Sequence, residues 1–162
     1  MNPSRPLVAT ILLLASAWLH AAELRPFASG DMARLVAEHR GRPFIVTFWS
    51  TDCPHCKTTL RQLSAWAERH RNVDLAVVNT DGPEAAQSIG PMLSRVGLGA
   101  RATWVFADTP ERLRYEIDRR WGGELPRSYL FDGEAGREAF SGPVAADALQ
   151  RLAAGGHGGP RP

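Results

Sequence analysis

The chain has 162 residues, 44% of them hydrophobic, which is enough for one compact domain with a substantial core and excludes a disordered or fibrous protein. Its 19 Lys and Arg against 17 Asp and Glu give a formal net charge of only +2. Mixed-sign stretches such as AERHR and EIDRR read as solvated helix faces, leave no continuous cationic stripe, and argue against a nucleic-acid partner.

In chain order, Arg5, an apolar run from Leu7 to Leu19 and then small residues up to Ala22 read as a secretory signal peptide over residues 1–22. The apolar run falls short of the ~20 residues a membrane span requires, so an uncleaved anchor is the lesser alternative. The mature domain is expected over residues 23–154, and the Gly/Pro-rich residues 155–162 form a flexible tail in which His157 alone makes no metal site. GDMARLVAEHRG places Met32, Leu35, Val36 and His39 on one face of a helix. FIVTFWS then reads as a central strand, because it is an unbroken apolar, β-branched and aromatic run.

Both cysteines follow that strand, in CPHC, and apolar positions recur at Cys56, Leu60, Leu63 and Ala67 with Trp66 alongside, the pattern of a helix packed on a sheet. VDLAVVNT is a second buried strand, so strand, helix and strand suggest a parallel crossover. A helix using Ile89, Met92, Leu93 and Val96 follows, with Pro91 placed to bend it. A short strand at residues 103–106 comes next, then a helix using Leu113 and Ile117. LPRSYLF and REAFSG, joined by DGEAG, read as an antiparallel hairpin, and PVAADALQRLAA as a terminal helix with Val144, Ala148, Leu149 and Leu152 inward.

The pair Cys53 and Cys56 closes too short a loop for a disulfide there to stabilise much through chain entropy, so chemistry explains it better than stapling. At a helix start, unpaired backbone amides favour thiolate, which makes Cys53 the candidate nucleophile and Cys56, one turn on and deeper, the candidate resolving cysteine. Pro54 suits the first helical position, where its missing N–H has no acceptor. His55 is a polar neighbour able to stabilise the Cys53 thiolate, whereas Asp52 opposes it if the carboxylate points at the sulfur, or caps the helix if it does not. Zinc or copper binding and a purely structural disulfide remain the competing readings, although no second cysteine pair completes a structural zinc site. Redox exchange needs no bound cofactor or metal, and none is expected.

FIVTFWSTDCPHCK, VDLAVVNT and GGELPRSYLFDGEAGREAFSG occur in an order and separation that resemble the thioredoxin superfamily, in particular its exported TlpA/ResA/DsbE-like group, over roughly residues 42–154. The resemblance implies an α/β thioredoxin-like fold, a central mixed sheet flanked by helices. It implies that Cys53 and Cys56 exchange disulfides, that Pro126 is a cis-proline opposite them, that Leu125 and Glu124 border a substrate groove, and that Trp49 is an aromatic floor of the approach. It further implies a monomeric periplasmic thiol-disulfide oxidoreductase that reduces exported cysteine-containing proteins, such as apocytochromes, and is recharged by a membrane-bound electron donor.

Three departures stand out: Asp52 where many relatives have tryptophan, Arg127 in place of the common threonine after the cis-proline, and Thr47 near the position of a buried acid. CPHC also resembles the centre of the DsbA oxidases. A DsbA-like oxidase, a copper-handling protein and a non-catalytic binding domain are therefore the alternative functions.

Overall fold

The computed structural model describes residues 23–155, so the expected signal peptide and nearly all of the expected tail lie outside the described residues. One 6-stranded mixed sheet organises the chain, in the order β1-β4-β3-β2-β5-β6. Its strands are β1 (Leu24–Phe27), β2 (Phe44–Trp49), β3 (Asp74–Asn79), β4 (Thr103–Phe106), β5 (Arg127–Phe131) and β6 (Arg137–Ser141). The helices are α1 (Asp31–Glu38), α2 (Cys56–Arg69), α3 (Ala86–Arg95), α4 (Pro110–Ile117) and α5 (Ala146–Ala153). β1, β4, β3 and β2 run parallel, while β5 and β6 return antiparallel as the hairpin read from the sequence.

Alternation along the strands divides the core into two layers. Ile45 and Trp49 of β2, Leu75 and Val77 of β3 and Leu130 of β5 pack under α2, α3 and α5 through Leu60, Leu63, Ile89, Leu93 and Leu149. Phe44, Val46 and Phe48 point the other way, toward Met32 and Leu35 of α1 and Leu113 and Ile117 of α4. Every residue of β2 is buried, which explains its unbroken apolar run: a strand covered on both faces has no solvent side to alternate with. Each fully buried Leu, Ile or Phe contributes about 1.5–3 kcal/mol, so this strand is the energetic centre of the sheet.

The sequence reading has no strand at β1, yet Leu24–Phe27 pairs in parallel with β4. The pairing extends at both ends, from the Thr103 amide to the Glu23 carbonyl and from the Ala107 amide to the Phe27 carbonyl. Four residues carrying a charge and a proline give no strand signal, but an edge strand tolerates proline, and Phe27 anchors the segment against Phe48 and Phe106. Pro91 lies inside α3, which continues through it.

At the hairpin turn, Gly133 has φ 89° and its amide neighbourhood sits on the backbone of Arg42, where an added Cβ would come within 2.5 Å of the Arg42 nitrogen. The Gly133 carbonyl accepts from the Gly41 amide at 2.7 Å. Only glycine satisfies both the positive φ and the close approach, and this contact ties the hairpin to the chain entering β2.

Candidate active site

β2 delivers the chain to the carboxyl end of the sheet, and the turn that follows carries Cys53 and Cys56 as a disulfide with Cα atoms 5.4 Å apart. Cys56 is fully buried in the layer under α2, whereas Cys53 is only partly buried against the same layer. The Cys56 amide donates to Cys53 Sγ at 3.1 Å. A backbone donor on that sulfur favours its thiolate once the pair is reduced, and the sulfur with access to solvent is the one so supported.

Two sequence expectations require correction. α2 begins at Cys56 with His55 as its N-cap residue, so Pro54 lies in the turn before the helix rather than at its first position. The helix start makes no side-chain cap hydrogen bond, so Asp52 is not a cap. Pro54, Asp52 and His55 are all exposed, and neither the Asp52 carboxylate nor the His55 imidazole forms a hydrogen bond or ion pair with another described residue. Neither side chain is hydrogen-bonded to Cys53.

What fixes the corner is the loop after β3. Asp81 accepts from the Thr51 amide at 2.7 Å, the Thr51 hydroxyl at 2.8 Å and Asn79 Nδ2 at 3.1 Å. The Thr80 amide donates to the Trp49 carbonyl at 2.9 Å. Burial pushes the Asp81 carboxyl up, but the hydrogen bonds from Ser50, Thr51 and Asn79 outweigh it and hold the group below the usual carboxylate range. The turn between β2 and Cys53 is thus clamped to β3 by one carboxylate.

Antiparallel pairing sets Phe48 opposite Arg127, which places Pro126 at the level of Trp49, at the same end of the sheet as the disulfide. The Leu125–Pro126 bond is cis. Leu125 is partly buried against the same core layer as Cys53, while Glu124 is an exposed neighbour. Trp49 is different: it is fully buried, so it is core beneath the corner and offers no floor to a substrate. Its Nε1 has no hydrogen-bond partner among the described residues, and neither does the buried Thr59 hydroxyl in α2. At the expected acid position, Thr47 instead exchanges a 2.7 Å hydrogen bond with Ser128, both fully buried.

Arg127 reaches away from the disulfide into a charged cluster around Asp118, which is 11% exposed and lies just beyond α4, not on the solvated helix face that EIDRR suggests. It donates to Asp118 Oδ2 at 2.9 Å, to Ser141 Oγ at 2.7 Å, to the Tyr129 hydroxyl at 3.1 Å and to Glu124 Oε1 at 3.3 Å. Burial raises the Asp118 carboxyl, yet the Arg120 amide and the Arg127 and Arg137 cations hold it below the usual range. Burial likewise pushes the Tyr129 phenol up. Trp121, buried against Phe48 at 4.9 Å between ring centroids, donates its indole N–H to the Glu124 carbonyl at 2.9 Å. These residues converge from the loop after α4, from β5 and from β6, so no local motif could have announced them.

A model of the AhpC/TSA family matches residues 28–134, well over half of the chain. No curated protein sequence matches at a significant level. Among solved structures, the MTB dsbF protein in its mixed oxidized and reduced forms superposes with a TM-score of 0.57 at 18% identity, over 72% of this chain and 82% of that one. A secreted Mycobacterium tuberculosis disulfide oxidoreductase homologous to E. coli DsbE gives 0.54 at 20% identity, over 73% and 85%. A thiol:disulfide interchange protein of the thioredoxin family from Chlorobium tepidum gives 0.55 at 20% identity, over 73% and 81%. At these identities the likeness is one of fold, and the fold is thioredoxin-like.

Proposed function

The chain belongs to the AhpC/TSA family, and on that premise we propose that it is an exported thiol-disulfide oxidoreductase working in the reducing direction. The asymmetry of the cysteine pair carries this reading: a partly exposed Cys53 whose sulfur receives a backbone N–H, and a Cys56 sealed in the core. In the reduced protein the Cys53 thiolate attacks one sulfur of a substrate disulfide, and the S–S bond breaks to give a mixed disulfide and a substrate thiolate. Cys56 then attacks Cys53 Sγ, its thiol proton passing to the departing substrate sulfur. Substrate leaves with two electrons gained, and the Cys53–Cys56 disulfide re-forms.

Export is supported by the leader pattern of residues 1–22 and by the secreted M. tuberculosis structure of the same fold. Among the described residues no helix is long and apolar enough to cross a membrane. The substrates would be exported cysteine-containing proteins, with a membrane-bound donor returning the electrons. Reduction is favoured by the stretch after NTDG and by WGGELPRSYLFDGEAG, which resemble the TlpA-like group. The exposed His55 of the CPHC centre favours the oxidase as the second reading.

Equilibration of the Cys53/Cys56 pair against a defined thiol buffer separates the two directions. A potential near ~−270 mV is the expected result, and one near ~−120 mV would replace reduction by oxidation.

A further inference from the structure

The side chain that follows the cis-proline does unusual work for a strand residue. Arg127 is only 11% exposed, and so is its partner Asp118. Three nitrogens of its guanidinium are directed at four acceptors, and a planar fork with fixed donor directions can do this only if the acceptors are themselves held in register. They are: Tyr129 also donates to Asp118 Oδ2 at 3.3 Å, and Ser141 also donates to Glu124 Oε1 at 2.8 Å. The contact with Glu124 closes a tight loop over Leu125 and Pro126, the contact with Asp118 closes a wider one over the whole segment of residues 118–127, and within it the buried Trp121 indole donates to the Glu124 carbonyl. Ser141 fastens both ends of the tight loop to β6.

We propose that Arg127 is a positioning residue that holds the Leu125–Pro126 segment in its substrate-receiving shape, and so sets the affinity for the substrate chain rather than the chemistry of the sulfurs. The inference rests on the oxidoreductase reading above. Every contact of the guanidinium goes to the segment of residues 118–127, to β5 or to β6, and none goes to Cys53, Cys56 or the Asp81 clamp. Loss of the fork leaves Asp118 and Glu124 without their shared cation and frees the segment to sample other shapes. Substrate then binds to a fraction of the population, and the apparent affinity falls by that fraction. The Cys53–Cys56 potential stays as it is.

The test is steady-state reduction of a synthetic peptide carrying one intramolecular disulfide, with dithiothreitol as recycling reductant, for the unaltered protein, Arg127→Met, Arg127→Lys and Ser141→Ala. Arg127→Met is expected to raise KM about tenfold and Arg127→Lys about threefold, because lysine keeps the charge but engages fewer acceptors. Ser141→Ala is expected to raise KM about twofold. In each variant kcat falls less than KM rises, and the redox potential is unchanged. An unaltered KM in both Arg127→Met and Ser141→Ala overturns the proposal, as does a shifted potential that accounts for the lost activity. If Arg127→Met does not fold, Arg127→Lys and Ser141→Ala decide by the same KM criterion. Absence of exchange in the unaltered protein overturns the oxidoreductase reading itself, and this proposal with it.

Discussion

Two segments lie at the carboxyl end of β2, the turn that carries Cys53 and the segment that carries Pro126, and they are held in different ways. The first is held mainly at its backbone: Asp81 accepts from the Thr51 amide as well as from its hydroxyl, the Thr80 amide grips the Trp49 carbonyl, and the Cys56 amide meets Cys53 Sγ, while the side chains of Asp52 and His55 are exposed. The second is held through side chains, by an arginine placed among two carboxylates, a phenol and a serine. The difference suits the proposed roles. A nucleophile needs a fixed sulfur and an open face, so its supports come from behind; a receiving surface needs a fixed shape, and buried ion pairs supply geometric specificity even where their net stabilisation is small.

The contrast can be broken first at Asp81. Asp81→Ala removes three hydrogen bonds to a carboxylate and should cost about 2–3 kcal/mol in urea unfolding, with slower exchange at Cys53 and an unchanged KM for peptide. An Asp81→Ala protein that raises KM as Arg127→Met does would erase the distinction between the two segments.

Acid should weaken both segments. The carboxyls of Asp81, Asp118 and Glu124 are held below their ordinary values in the folded chain, so the stability they contribute is complete above the unfolded carboxylate pKa of about 4 and is lost as pH falls through the lower folded values. Asp81→Asn and Asp118→Asn should each flatten the acid limb of stability against pH. An acid limb identical to that of the unaltered protein in both variants would remove these carboxylates from the account.

Smaller effects sharpen the picture. The Thr59 hydroxyl is buried without a partner among the described residues, so Thr59→Val should raise stability by about 1 kcal/mol, measured by urea unfolding, where loss of a needed hydrogen bond would lower it. His55→Gln should lower the alkylation rate of reduced Cys53 at neutral pH by about twofold or less, because an exposed, solvent-screened imidazole adds little to what the Cys56 amide provides. A much larger fall would make His55, and not the backbone, the main support of the thiolate.

Much of this was legible in the sequence because the signals were local. The apolar run of β2, the period of α2, the CPHC turn and the DGEAG hairpin each announce themselves within a few residues. β1 was not legible, since a short edge strand containing Arg25 and Pro26 owes its existence to Phe27 packing on Phe106 and Phe48. Trp49 reads equally well as core or as an active-site surface until its burial decides for the core. Pro54 looked like a first helical residue because that position suits proline, but the chain makes an extra turn before α2 begins. Both clamps were invisible for one reason: Thr51 meets Asp81, and Arg127 meets Asp118 and Ser141, only after the sheet has formed.

The central claim is that Cys53 attacks and Cys56 resolves. Its most direct test is to expose Cys56→Ser and Cys53→Ser proteins to a disulfide-bonded peptide and measure the mixed disulfide that accumulates, by mass. Cys56→Ser should accumulate the adduct through Cys53 Sγ, while Cys53→Ser, left with a thiol sealed in the core, should accumulate almost none. An adduct on Cys56, or none in either variant, would contradict the account.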